Sequence, residues 1–252
     1  MATTTIAAQK LGKLPVRTDV RTLSFARYVD RAKLPRPPDV LDETAHVADW
    51  PMYANDRIGD CTMAAAGHMI EAWTAAVRGR AVEVSEKAVL DAFDHVKQVD
   101  PTTGEEGAIV LDVLQYWRSS GVARHRIGAY ARVPVHDHEL VRAGAYLFGG
   151  LYLGLQLPQS AQGQSTWDWT GSLTGPAAPG SWGGHAVDVV RYDAGTLTVV
   201  TWGALKEATW QFFDRYCDEA YCILSTDFLD GDRAPNGFDL EALKADLALV
   251  TA

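Results

Sequence analysis

The sequence predicts an α+β fold, with a helical first half followed by a half that is mainly sheet. Three observations carry this. From Cys61 to Val77 the apolar residues Met63, Ala66, Ile70, Trp73 and Val77 recur at steps of three and four, the period of a helix with one buried face. Residues 185–192 and 196–202 are two β-type runs joined across Asp193-Ala194-Gly195, a hairpin signal. Residues 160–184, rich in Gly, Ser, Pro and Trp, have no period and read as a long loop.

Taken in order, residues 1–48 hold Pro15, Pro35, Pro37 and Pro38 amid scattered charge. They read as an extended N-terminal arm with one helical turn near 23–29, since proline removes an amide donor and breaks helices. The central helix follows at Cys61. Ser85 is an N-cap candidate with Ala88, Val89, Leu90, Phe93 and Val96 behind it. Gly104 to Gly107 lead into a helix carrying Ile109, Val110, Val113, Leu114 and Trp117, which Gly121 stops. Asp137 caps a shorter helix that Gly149 and Gly150 break. Leu151, Leu153 and Leu155 then alternate as a strand does, and 221–224 supplies a further strand. Leu240, Leu243, Leu247 and Val250 lie on one face of a last helix, so 226–252 is expected to dock on the body at 49–225.

Composition narrows the function. Apolar residues make up 47% and charged residues 22%, values of an ordinary globular chain, so a packed core is expected. The net charge of -9 and a pI near 5.2 repel phosphate backbones, and no Lys/Arg cluster interrupts them, so nucleic acid is not the expected partner. No segment is apolar enough for a membrane span, and the N-terminus lacks the pattern of a signal peptide. A cytoplasmic or virion-associated protein is expected. The three cysteines, Cys61, Cys217 and Cys222, cannot form a disulfide framework and leave room for a reactive thiol. Cys217 and Cys222 would be half of a metal site, but no second His or Cys pair accompanies them, so they read as strand cysteines and no metal or other cofactor is expected.

One cysteine opening a helix and one distant histidine on a strand form the layout of a thiol enzyme. A helix N-terminus and an imidazolium both favour the thiolate. Gly59 lets the chain turn into the helix at Cys61, whose amide would point at a developing oxyanion, with Asn55 as a second donor. His185 is the candidate base. His68 falls off the buried stripe of the central helix.

Four segments, in order, carry a resemblance to a known family. Asn55-Asp56-Arg57-Ile58-Gly59-Asp60-Cys61-Thr62 resembles the oxyanion residue and nucleophile segment of the papain-like cysteine peptidases. Gly104 to Gly107, with the following helix through Tyr116 to Gly121, is similar to their glycine motif. Gly184-His185-Ala186-Val187 resembles their catalytic histidine strand, and Thr201-Trp202-Gly203 the segment that follows their catalytic Asn. The resemblance covers residues 50–224. It implies a two-lobed α+β fold, with a helical left lobe at about 55–125 and an antiparallel sheet right lobe at about 126–225.

The departures touch the chemistry. Asn55 stands where the family has Gln, Thr62 replaces an aromatic residue, and Asp60 places a carboxylate before the nucleophile, opposing the thiolate unless it points outward. Val200 stands where the family has the Asn that orients the imidazole. A simple hairpin register puts Thr201 on the face of His185, so Thr201 is the expected substitute, and Asp188 points the other way. Trp167, Trp182 and Trp202, with Gly184, are candidates for lining a substrate groove.

The resulting expectation is a hydrolase of peptide or isopeptide amides with a peptide or protein substrate, using Cys61, His185, Asn55 and Thr201. An acyltransferase with the same Cys-His pair is the near alternative. A catalytically silent domain serving binding or assembly, of phage derivation, is the alternative from a different class, and a zinc-dependent hydrolase a third.

Overall fold

Residues 9–29, 31 and 34–229 are described by a computed structural model, and every structural statement concerns them. The arm contributes β1 (Leu23–Ser24), α1 (Phe25–Tyr28) and β2 (Leu41–Asp42). Then come α2 (Cys61–Arg78), α3 (Glu86–Asp94), a small hairpin of β3 (Gln98–Val99) and β4 (Glu106–Gly107), and α4 (Val110–Ser119). The second half runs β5 (Ile127–Arg132), α5 (His138–Phe148), β6 (Leu151–Leu157), β7 (Gly183–Tyr192), β8 (Thr196–Thr201), β9 (Ala204–Thr209), α6 (Trp210–Tyr216) and β10 (Cys217–Ser225).

Local chemistry sets many of these ends. Ser85 accepts a hydrogen bond from the Ala88 amide at the start of α3, and Asp137 accepts one from Leu140 at the start of α5, so each cap satisfies an orphan donor. α2 ends at Gly79 in the left-handed region, where its amide returns to the Ala75 carbonyl.

The main sheet has the order β1-β5-β10-β6-β7-β8-β9, with β2 paired to the far end of β7. All of its pairings are antiparallel except β1 with β5. Two hydrophobic clusters result. One lies under α5 and α6 and takes Leu151, Leu153, Val187, Val189, Phe212, Phe213, Cys217 and Cys222. The other joins α2, α3 and α4 through Met63, Trp73, Phe93, Leu114 and Trp117, and draws in Tyr152, Ala186 and Tyr221 from the sheet.

Between the two layers, α2 is enclosed. Every residue from Cys61 to Ala75 is buried, not one face alone, because β7 and β8 cover one side and α3 and α4 the other. This corrects the expectation for His68, whose ring is buried between Trp50 and Tyr53, with Nε2 2.7 Å from the Pro51 carbonyl oxygen.

β5, β9 and α6 were not expected from the periodicity, and β10 begins at Cys217, not at 221. The strand β9, Ala-Leu-Lys-Glu-Ala-Thr, has no apolar/polar alternation and owes its existence to its pairing with β8. The helix α6 is short, and Thr209 caps it by accepting from the Phe212 amide. The expected C-terminal helix lies outside the described residues apart from the turn Thr226–Phe228, whose Phe228 packs into the helical cluster. Among the described residues no helix is long and apolar enough to cross a membrane.

Candidate active site

The loop entering α2 is tightly wound. Tyr53 and Ala54 adopt positive φ angles of 51° and 67°, a costly conformation for residues with a Cβ, and the Ala54 carbonyl accepts from the amides of Arg57 and Ile58. Gly59 is not in the left-handed region. What requires glycine there is close approach: a Cβ would lie 2.4 Å from the Glu106 carbonyl oxygen and 2.8 Å from that of Leu11. The reason is contact between segments and not the sharp turn expected from the sequence.

Asn55 is buried, and its side-chain amide turns back onto its own loop. Nδ2 donates to the Ile58 carbonyl at 3.1 Å and lies beside the Asp60 carboxyl. An amide so engaged is not held toward an oxyanion. Asp60 does not point outward. It is fully buried, neither carboxyl oxygen has an aligned hydrogen bond among the described residues, and burial pushes its pKa up to about 8. At neutral pH the group is therefore mostly protonated, and the negative charge expected before Cys61 is largely absent.

Cys61 opens α2 and is 1% exposed. Burial pushes its thiol up to about 12, partly offset by the backbone of Ala186 and of Gly12. Ala186 follows His185 on β7, so the thiol faces the histidine strand. Gly12 belongs to the arm.

His185 is likewise 1% exposed, and burial pushes its pKa down to about 3. Its Nε2 lies 2.6 Å from Thr201 Oγ1, while Nδ1 has no partner among the described residues. The Trp202 ring stacks on the imidazole at 4.3 Å with an interplanar angle of 17°. Val200 is not near the ring, because it packs with Ala72 and Val190 on the α2 side of the sheet. Asp188 is on that side as well, buried and raised well above the usual carboxylate range by burial. Adjacent strand residues point to opposite faces, so Thr201 meets the ring and Val200 does not.

The three tryptophans meet at Trp202, with Trp167 edge-on to it at 6.0 Å. Trp167 is buried, stacked on Phe212 at 5.5 Å, and its strand bridge to Ala208 anchors the long loop, so it does not line a groove. Trp182 is half-buried and lies against Trp202, 5.5 Å between centroids. Trp202 therefore links Trp182 to the imidazole.

What no sequence motif signalled is the segment over this pair. The Lys10 amide donates to the Asn55 carbonyl, and its own carbonyl accepts from Trp202 Nε1, both at 3.0 Å. The Gly12 carbonyl accepts from Ala108 at 2.8 Å, the Lys13 amide donates to Gly184 at 3.1 Å, and the Leu14 amide donates to Ala108 at 3.0 Å. Residues 10–14 are thus an extended strand tied alternately to the helical layer and to β7. Gly184, expected at a substrate site, faces this strand: a Cβ there would stand 2.1 Å from the Lys13 carbonyl oxygen. The Cys61 thiol lies against Gly12 of this segment, and the imidazole lies beneath Trp202, whose Nε1 is bonded to Lys10.

Several solved structures share the fold. Xylellain, a cysteine protease from Xylella fastidiosa, is 17% identical, with 88% of this chain and 99% of that one covered and a TM-score of 0.61. The procathepsin B S9 of Trypanosoma congolense is 12% identical, with 86% of each chain covered and a TM-score of 0.60. Bromelain from Ananas comosus, solved with the E64 inhibitor, is 14% identical over 75% of this chain and 99% of that one, with a TM-score of 0.50. The chain therefore has a papain-like fold. No protein-family model matches it, and neither does any curated protein sequence.

Proposed function

We propose that the protein is a thiol-dependent hydrolase of peptide or isopeptide amides, with Cys61 as nucleophile and His185 as base. The observation that carries this reading is the segment of residues 10–14, bonded to Asn55 and Ala108 of the helical layer on one side and to Gly184 of the histidine strand on the other, as a bound peptide would be. With His185 Nε2–H donating to Thr201, Nδ1 is free to take the thiol proton. The sulfur then bonds to the carbonyl carbon, the C–N bond breaks, and the imidazolium proton leaves with the amine. Water cleaves the thioester and restores the thiol; an amine in its place would complete acyl transfer. The Cys61 amide, a first-turn donor of α2, is the oxyanion donor that remains once Asn55 is engaged elsewhere.

In the resting form both groups are neutral, a consequence of burial beneath the arm. Activity requires residues 10–14 to leave, which admits water and a substrate and returns both groups toward their ordinary values. The silent-domain reading has one observation in its favour, the same burial. An epoxide or vinyl sulfone probe decides. Wild type should be alkylated at Cys61, as mapped by mass spectrometry, and Cys61→Ala should not. A Cys61 no more reactive than free cysteine, both in wild type and with the arm loosened by Gly12→Ala, would leave only the silent domain.

A further inference from the structure

Lys13 is a charged arm residue that is buried. Its side chain has no exposed area, and Nζ stands 2.9 Å from Asp218 Oδ2 and 3.2 Å from Glu219 Oε1. An ammonium enters an interior only where carboxylates compensate its lost hydration. Here the carboxylates are held in advance. Gln156 Nε2 donates to the same Asp218 oxygen at 2.7 Å, and Tyr221 OH donates to Glu219 Oε2 at 3.0 Å.

The space is shaped as well as charged. Gly154 of β6 forms one wall, where a Cβ would lie 2.2 Å from Lys13 Cε and 2.6 Å from Glu219 Cγ. Any side chain at that position would fill the channel that the lysine stem occupies. Gly154 pairs with Ala186 on one side and Glu219 on the other, so the pocket adjoins the histidine strand one residue beyond His185. The Lys13 amide donates to Gly184, immediately before His185, and the preceding Gly12 reaches the Cys61 thiol. A side chain carried by a peptide that passes the Cys61 thiol and bonds to Gly184 therefore drops into the pocket.

Resting on the hydrolase reading above, we infer that the Asp218–Glu219 pocket is the subsite that sets substrate choice, and that it selects a peptide carrying Lys or Arg where the arm carries Lys13. The arm is its resident occupant. An apolar side chain of equal length would fill the channel but leave the buried Glu219 without its counter-charge. The guanidinium of arginine meets the same requirement and matches a carboxylate with two donors.

Binding tests the pocket without the chemistry. Full-length protein carrying Cys61→Ala, Gly12→Ala and Lys13→Met has an inert site, a loosened arm and no resident cation, and a retained cooperative melt shows that it is folded. Two fluorescein-labelled octapeptides of the sequence of residues 9–16 are titrated by anisotropy, one with lysine at the fifth position and one with norleucine. The lysine peptide should bind at least tenfold more tightly, and the preference should fall below threefold when Glu219→Gln is added. Asp218→Asn, at a partly exposed position, should reduce it as well if the buried substitution prevents folding. Equal affinities within twofold, or no binding of either peptide, would overturn the assignment. A lysine preference beside a Cys61 that is unreactive both in wild type and in Gly12→Ala would keep the pocket and remove the hydrolase. A reactive Cys61 with no preference would do the reverse.

Discussion

The ring of His185 is held on its edge by Thr201 and on its face by Trp202. Thr201→Val keeps the shape and removes the hydrogen bond, worth about 1 kcal/mol net. We expect about a fivefold slower labelling of Cys61 by the epoxide, measured with the arm loosened, and recovery in Thr201→Ser. An unchanged rate would show that the ring needs no orienting partner. Asp60 carries a different prediction. Its folded value near 8 lies above the unfolded value near 4, so the folded chain holds a proton that the unfolded chain loses over that interval. Its contribution to stability is complete below about pH 4 and is lost as pH rises through 8. Asp60→Asn removes this loss, so the melting temperature of the variant should gain on wild type progressively from pH 5 to pH 9. A constant offset would refute it. His185 and His68, lowered by burial to about 3 and about 4, act at the other end: their contribution is present above about pH 6.5 and is lost as pH falls through those values. The part played by Thr201 agrees with a simple hairpin register only because a bulge between Val189 and Arg191 shifts the pairing by one residue. The direction of the Asn55 amide was not legible in the sequence, because a neighbouring buried carboxyl and carbonyl decide it.

Among the elements, the strand of residues 10–14 has the largest consequence. It fits because Gly12 and Gly59 pack backbone to backbone; a Cβ on Gly12 would stand 1.7 Å from the Gly59 carbonyl oxygen. No rotamer relieves that overlap, so Gly12→Ala should lift the strand. Iodoacetamide should then alkylate Cys61 at least tenfold faster than in wild type. Cys217 and Cys222, buried beneath the sheet, should be unaffected. Equal rates at Cys61 would mean that the arm does not control access to it. The helices α2 to α5 were legible from period and caps. The crossing of the arm was not, since Lys10-Leu11-Gly12-Lys13-Leu14 has no pattern that names its partners.

At the scale of the whole molecule, the two hydrophobic clusters share their strands. β10 gives Ala220 and Cys222 to one and Tyr221 and Ile223 to the other, β6 is divided in the same way at Tyr152, and Trp73 Nε1 of α2 donates to the carbonyl of Phe148, the last residue of α5. Lobes tied through common strands should lose their packing together. Ile223→Ala opens the helical cluster from the sheet side and should cost about 2–5 kcal/mol. Calorimetry should show this as a lower temperature for one transition. A split into two transitions would show that the lobes are independent.

The sequence by itself determined the α+β division, most of the helices, the central hairpin, and the order in which a cysteine and a histidine are placed on opposite layers. These follow from periods and caps written within a few residues of each other. Only the tertiary structure decided that the thiol and the imidazole rest buried and neutral, and that Lys13 lies between Asp218 and Glu219. Charge state and pocket identity depend on which distant segments exclude water, and that is a property of the packed chain.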